Sequence, residues 1–380
     1  IPMVRSIIMK KLDRRELIKY MISGGGACLM AYPMTGILAG NEHLFITEAM
    51  YYEKKEKQKV LCKLCPNECS IKNHKRGDCN TRENMDGILK SLVYSRASSV
   101  HIDPVEKKPL FHYLPGTKSF SLGTAGCNFT CKFCQNWEIS QFKPEEVDSI
   151  YLSPEEVIKT AQKEHCATVS CTYNEPVIFY EYLYKIARTG KDRGIKTVMI
   201  SNGYINEKPM KELCRYLGGV KIDLKAFSDK FYSDICGGEL EPVLNTLKLL
   251  KSEGMWFEIV VLIIPSLNDS ITEIKSMATW IKNNIGPDVP LHFSRFHPVY
   301  KIKNLPSTPV KTLEHAREIA FKTGLHYVYI GNVPGHTGEN TYCPGCKKLL
   351  IQRVGFEIIK NSLKDGKCPS CSYRIAGIWK

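Results

Sequence analysis

Three cysteines crowd one short run, "GTAGCNFTCKFCQNW" from Gly123 to Trp137: Cys127, Cys131 and Cys134. A tetrahedral zinc or a fully ligated iron–sulfur cluster takes four protein ligands. Three thiolates on one loop can instead hold three corners of a [4Fe-4S] cube and leave the fourth iron open to a substrate or cofactor. The alternative, structural zinc, would want a fourth ligand nearby. Cys62, Cys65, Cys69 and Cys79 form a complete four-ligand set, suited to zinc or an auxiliary cluster. Near the other end, Cys343-x2-Cys346 and Cys368-x2-Cys371, with 21 residues between the pairs, read as two knuckles clamping one metal. Zinc is the expected ion there, with rubredoxin-like iron or an auxiliary cluster as alternatives. Cys28, Cys166, Cys171, Cys214 and Cys236 stand apart; Cys166 and Cys171 bracket an expected strand and read as buried hydrophobes. Eleven of the 16 cysteines therefore carry metal-ligand spacing and not that of a small disulfide scaffold, and a reducing cytosol suits them.

The elements that must position these groups follow from periodicity. From Ser119 onward, short β-branched runs alternate with helical stretches: "FSLGTAG", "ATVSCTYNEP", "KTVMISNG", "GVKIDLKAF", "FEIVVLIIP", "LHFSRFHP" and "HYVYIGN". Helix starts are marked by Ser153-Pro154-Glu155-Glu156 and by Pro176, whose helix is expected to run to Arg193. About six strand–helix repeats imply an α/β fold of parallel strands with crossover helices. Nearly every run ends in polar groups: Asn174 and Glu175, Ser201 and Asn202, Asp223 and Lys225, Ser294 and Arg295, and Asn332. In α/β barrels such carboxyl ends line one mouth, so these residues are expected to share it with the cysteine loop. Asp223 and Lys225, two apart, point the same way, as ligand contacts or as a structural ion pair. His112, His292 and His297 are expected beside the mouth, as ligands, proton donors or packing residues.

The spacing Cys-x3-Cys-x2-Cys, with Phe133 before the last cysteine, resembles the signature of the radical S-adenosylmethionine superfamily. The resemblance implies a partial (β/α)6-type barrel, a [4Fe-4S] cluster on Cys127, Cys131 and Cys134, and S-adenosylmethionine chelated at the open iron. Reductive cleavage would then yield a 5′-deoxyadenosyl radical that abstracts hydrogen from a substrate. Relatives carry a Gly-Gly-Glu-Pro type segment where this chain has Asn174-Glu175-Pro176; Glu175 is the expected contact for the methionyl amino group, or a helix cap. Ser201, Asn202, Asp223 and Lys225 resemble segments of the glycyl-radical-enzyme activases and are expected around the cofactor, with Arg295 neutralising its carboxylate. The longer runs "DPVEKKPLFHYLPGTKS", "CTYNEP", "KIDLKAF", "HFSRFHP" and "VYIGNVPGHTGENTYCPGC" resemble the radical enzyme of the AmmeMemoRadiSam system over about residues 60 to 350. That family implies a core like that of pyruvate formate-lyase-activating enzyme and a Memo-family partner protein, with the substrate unspecified. Activation of a glycyl radical enzyme is the alternative activity. A non-catalytic electron carrier or a zinc-dependent nucleic-acid module is the alternative class, but a carrier would want every iron ligated.

Four segments result: a leader over 1–50, an N-terminal Cys-rich module over 51–115, the barrel over 116–335, and a C-terminal CxxC/CxxC metal module over 336–380. The leader carries Arg14-Arg15 before a mostly apolar, Gly-rich stretch and resembles a twin-arginine export signal. S-adenosylmethionine and a ferredoxin or flavodoxin reductant are cytosolic, so the cytoplasm is expected, with export the alternative. The net charge of +14, from 53 Lys and Arg against 39 Asp and Glu, lacks the aromatic interleaving of a nucleic-acid platform, so no nucleic acid is expected. No stretch after the leader is long and apolar enough to span a bilayer.

Overall fold

A computed structural model describes residues 42–380. The leader, with Arg14, Arg15 and Cys28, lies outside the described residues.

The centre is an eight-stranded sheet whose strands lie side by side in chain order. They are β1 (Ser99–Pro104), β2 (Lys118–Gly123), β3 (Thr168–Cys171), β4 (Lys196–Ser201), β5 (Leu217–Asp223), β6 (Phe257–Ile263), β7 (Leu291–Arg295) and β8 (Val328–Gly331). Strands β2 to β8 pair in parallel, and the seven apolar runs of the sequence supply them. Crossover helices α1 (Pro154–Lys163), α2 (Tyr180–Asp192), α3 (Glu207–Cys214), α4 (Leu240–Ser252), α5 (Ile271–Asn284) and α6 (Val310–Thr323) join successive parallel strands. Each buries an apolar stripe against the sheet, such as Leu183 and Ile186 of α2 and Val243 and Leu247 of α4. Helix α1 starts as its sequence demands: Ser153 caps the Glu156 N–H, Glu156 reaches back to the Ser153 N–H, and Pro154 occupies the first turn. The second marked start differs: Pro176–Phe179 form a 3₁₀ turn before α2 begins at Tyr180.

Strand β1 also departs from the sequence reading, which grouped it with the N-terminal module. It pairs antiparallel with β2 from Ser99–Gly123 to Pro104–Lys118 and forms the sheet's edge. A mixed sheet with one antiparallel edge strand is common in α/β folds, and the turn-rich segment between β1 and β2 allows the reversal. The N-terminal cysteines sit on small antiparallel sheets, with Cys62 ending the strand Val60–Cys62 and Cys69 preceding Ser70–Ile71. The C-terminal module is the hairpin Leu349–Val354 and Glu357–Asn361, flanked by Thr341–Tyr342.

That hairpin is fastened to the barrel by a shared core in which Phe111, Tyr327 and Tyr329 pack with Leu350, Ile351 and Ile375. Arg353, 1% exposed, lies over the Phe111 ring at 4.3 Å and donates to the Phe111 carbonyl at 2.8 Å and to Thr341 Oγ1 at 2.8 Å. Beneath it, the fully buried Glu258 of β6 accepts from the backbone N–H groups of Phe111 (3.0 Å) and His112 (2.8 Å) and from His292 Nε2 (2.7 Å). A carboxylate with three donors is satisfied at this depth, and His292 and His112 hold it below the usual range against its burial.

Candidate active site

A cleft of about 480 Å³ opens inside the sheet at the carboxyl ends of its strands. Cys127, Cys131 and Cys134 line it on the loop after β2, as do Asn174, Glu175, Asn202, Asp223, Lys225, Ser294 and Asn332 from the following strand ends. Strand alternation aims the walls: Lys221, Asp223 and Lys225 from β5 and its end, Val260 and Leu262 from β6, and His292 and Ser294 from β7.

The cysteine loop is held from several sides. Asn174 Nδ2 donates to the Gly126 carbonyl at 2.9 Å and to Thr124 Oγ1 at 3.2 Å, while its Oδ1 accepts the Thr124 N–H at 3.2 Å. Thr130 N–H reaches the Cys236 carbonyl at 2.8 Å, and Lys132 N–H the Ile235 carbonyl at 2.9 Å. Buried Phe129 packs on Tyr204 at 4.9 Å between ring centroids, and Phe133 on Phe231 at 5.9 Å. Burial pushes the Cys127 thiol well up, so an electropositive partner is needed to hold it as thiolate. Three soft sulfurs gathered on one loop are a donor set that iron fits.

Glu175, 2% exposed, accepts from the Val177 N–H (3.0 Å), Ser201 Oγ (2.6 Å) and the Asn202 N–H (2.7 Å). Its burial still lifts the carboxyl to about 7 against those donors. The cap reading and the cleft reading therefore coexist in one side chain: it caps the turn at Val177 and also faces the cleft. Ser201, 1% exposed, is not among the lining residues and acts on the cleft through Glu175. Asn202 donates to Asn128 Oδ1 at 2.8 Å and so reaches the residue next to Cys127.

Asp223 lies between Lys221 and Lys225, bonding the first closely and the second at 3.0 Å. Burial raises its carboxyl, and the two ammonium groups override this to hold it near 2. Lys225 is half-buried, yet Asp223 and the Cys131 sulfur hold it firmly protonated against its desolvation. The ion-pair and contact readings of these residues also coexist, since all three line the cleft.

Arg295 departs from expectation. Alternation along β7 turns Ser294 into the cleft, and Arg295 Nε donates to the Thr308 carbonyl at 2.8 Å outside the lining. His112 is fully buried beneath the barrel, with Nδ1 on the Ala376 carbonyl at 2.6 Å and Nε2 on the Tyr329 hydroxyl. His297 is exposed and pairs with Ser307 at 3.0 Å. Of the three histidines only His292 lines the cleft, and its Glu258 bond fixes it there.

The sequence reading missed three further cations that line the cleft, Lys107, Lys108 and Lys221. Lys108, 3% exposed, bonds Asp103, which also accepts Lys107 at 2.9 Å and the Tyr173 hydroxyl at 2.7 Å. Burial brings the Lys108 ammonium down to about 8, although Asp103 opposes it. It enters from "EKKPLF", a loop outside the strand–helix pattern, so no periodicity marks it.

The two outer cysteine groups differ in geometry. Cys343, Cys346, Cys368 and Cys371 bring their sulfurs within 4.8 Å of one another, with Cys343–Cys371 at 3.5 Å and Cys346–Cys368 at 3.6 Å. Tetrahedral zinc with bonds near 2.3 Å separates its sulfurs by about 3.8 Å, so one ion fits. Cys62, Cys65, Cys69 and Cys79 line a separate cavity with Arg82, Asn128, Val177 and Ile178.

Residues 121–280 match the sequence profile of the Radical SAM superfamily. An uncharacterized protein of Methanocaldococcus jannaschii is 46% identical over 330 residues, 86% of this chain and 98% of that protein. The pyruvate formate-lyase-activating enzyme of Clostridium pasteurianum is 26% identical over 167 residues, 42% of this chain and 67% of that protein. Among solved structures, a radical SAM methyltransferase from Sphaerobacter thermophilus aligns at 13% identity with a TM-score of 0.47, over 60% of this chain and 71% of that one. Among the described residues no helix is long and apolar enough to cross a membrane. The chain belongs to the radical SAM superfamily and is an enzyme that uses S-adenosylmethionine with a [4Fe-4S] cluster.

Proposed function

We propose that Cys127, Cys131 and Cys134 hold the [4Fe-4S] cluster with its open iron towards the cleft, and that the enzyme serves an AmmeMemoRadiSam-type system. Its substrate is then a small molecule or the end of a protein side chain. The observation that carries this reading is the convergence of the three thiols with Asn174, Glu175, Asn202, Asp223 and Lys225 on one cleft. Once bound and reduced by one electron, S-adenosylmethionine supplies a 5′-deoxyadenosyl radical able to take a hydrogen atom from substrate.

The chain's own groups bind, orient and exclude water. Lys225 stays charged beside Cys131 and offers its ammonium to a carboxylate. Asp223 stays ionised and accepts from amino or hydroxyl groups. Glu175, anchored by Ser201 and Asn202, presents a carboxyl to an amino group without moving. Phe129 and Phe133 close the back of the loop against water. Arg295 has no part in cofactor binding in this reading.

Activation of a glycyl radical enzyme is the second reading, favoured by the relative that bears an activating enzyme's name. The C-terminal hairpin supports the smaller substrate, because Glu339, Gly355 and Phe356 bound the cleft. A Memo-family partner, a ferredoxin or flavodoxin reductant, a cytoplasmic location and zinc on Cys343, Cys346, Cys368 and Cys371 complete the proposal. The test is anaerobic reconstitution followed by assay of 5′-deoxyadenosine from added S-adenosylmethionine. Product from the wild type and none from Cys131→Ala, with zinc retained, is the expected result; equal product from both would reject the cysteine assignment.

A further inference from the structure

The N-terminal cysteines admit zinc or a cluster by type alone, and their geometry separates the two. A single zinc draws four sulfurs to about 3.8 Å from one another. Among the described residues, the C-terminal four form a group whose ligand atoms all lie within 4.8 Å, and Cys62, Cys65, Cys69 and Cys79 do not. Their side chains instead surround a cavity, also lined by Leu64, Ile71, Val177 and Ile178. A cube binds each thiolate through a separate iron, so its sulfurs stand apart around an inorganic core.

A second observation points into the same cavity. Arg82 lines it, is 2% exposed, and leaves its Nε without a hydrogen-bond partner. Its other nitrogens are engaged: Nη2 bonds Glu181 at 2.5 Å and Nη1 the Met50 carbonyl at 3.0 Å. A buried N–H left open is destabilising unless something accepts from it. Sulfur of a cluster is such an acceptor, and hydrogen bonds to cluster sulfur tune its potential. Thr81 Oγ1 already points at Cys79 Sγ, 3.3 Å away.

The cavity also abuts the central loop. A Cβ placed on Gly126, next to Cys127, would stand 2.6 Å from the Cys79 carbonyl oxygen and 2.4 Å from Thr81 Cγ2. Asn128, on the other side of Cys127, lines the cavity and accepts at its carbonyl from Asn67 Nδ2 at 3.3 Å. One glycine's thickness of backbone separates a ligand of each site.

We propose that Cys62, Cys65, Cys69 and Cys79 hold a [4Fe-4S] cluster, not zinc, and that it relays single electrons through the Cys79–Gly126 contact to the site at Cys127. A one-electron donor of the flavodoxin class is oxidised as this cluster is reduced; the cluster returns to its oxidised state as the central one accepts the electron. No atom is transferred. The relay rests on the function proposed above, whereas the identity of the metal does not.

Two measurements test it. Cys131→Ala, and the same chain with Cys65→Ala and Cys69→Ala added, are reconstituted anaerobically with iron, sulfide and zinc together, and metals are counted per chain. The added pair should remove about four irons and four sulfides, together with the electron paramagnetic resonance signal of a reduced cluster. Loss of one zinc and no iron overturns the proposal, and because Cys131→Ala leaves the N-terminal set untouched, its own count is decisive even if the triple variant folds poorly. In the chain with Cys131 intact, Cys65→Ala/Cys69→Ala should slow 5′-deoxyadenosine formation driven by reduced flavodoxin at least tenfold more than formation driven by dithionite. Equal effects on both rates overturn the relay. Absence of product from the wild type with both reductants would instead refute the function proposed above and leave the iron count standing.

Discussion

Replacing Gly126 by alanine tests whether the N-terminal module positions the cysteine loop. Gly126 has φ +89°, and an L-residue held in that region costs about 1–2 kcal/mol. The added methyl also meets Thr81 Cγ2 at 2.4 Å and the Cys79 carbonyl at 2.6 Å, closer than carbon approaches either atom. Forcing a methyl into a packed contact costs about 1–3 kcal/mol more. Gly194 supplies the control: its φ is +73°, and its Cβ would meet nothing within 4 Å. Gly194→Ala therefore carries the backbone cost alone, and both variants share the same entropic gain from a stiffer unfolded chain. Urea unfolding of the two anaerobic proteins should place Gly126→Ala about 1–3 kcal/mol below Gly194→Ala, with reduced iron in the former only. Thr81→Ser keeps the hydroxyl that reaches the Ile178 carbonyl and Cys79 Sγ but removes the nearer carbon, so it should recover part of the loss and not all of it. Equal stability of the two alanine variants would refute the claim that this contact fixes the loop.

Three other outcomes follow from the same structure. Burial holds His112 at about 4 against an ordinary 6.5, so between those values the unfolded chain binds the proton and the folded chain does not. The His112 share of stability should be complete above about pH 6.5 and fall by up to about 3 kcal/mol as pH drops towards 4, read as the difference between wild type and His112→Gln in thermal melts across that range, because Glu175, lifted to about 7, works in the opposite direction in both proteins. Glu258→Ala strands the N–H groups of Phe111 and His112 and frees His292, and should cost about 3–5 kcal/mol in urea unfolding; a loss below about 1 kcal/mol would contradict the network. Asn174→Asp replaces the donor facing the Gly126 carbonyl with an acceptor, so cluster iron and sulfide retained after desalting should fall severalfold while any metal held by Cys343, Cys346, Cys368 and Cys371 stays; unchanged iron would refute its role in holding the loop.

The parallel core was legible because each of its strands is a short β-branched run between capped or Pro-started helices, and all seven runs became strands. The cysteine triad and the acidic and basic strand ends were legible for the same reason: a parallel strand delivers its last residues to one rim. What periodicity could not say was on which side of β7 Arg295 falls, since a shift of one residue reverses the face. Nor could it place Lys108, Phe111 and His112, which belong to a turn-rich loop whose neighbours lie far along the chain. Lys108 and Tyr173 meet through Asp103, and only the folded edge strand brings them together. His112 fell elsewhere because a barrel's interior accepts a buried imidazole beneath the rim as readily as one at it.

The contacts of Phe111 and His112 bear on when the enzyme becomes able to work. Arg353 lies 242 residues beyond Phe111, and Ala376 lies 264 residues beyond His112, yet these pairs join the underside of the cleft to segments made long after it. Ribosomal synthesis proceeds from the N-terminal side, so the seven parallel strands emerge before their floor can be fastened. Such distant closures are slow steps in folding. A nascent chain that has not yet reached Arg353 carries every cleft cysteine without the finished enclosure. Iron and sulfide delivered after Arg353 and Ala376 have docked meet a completed vessel; delivered earlier they meet an open one.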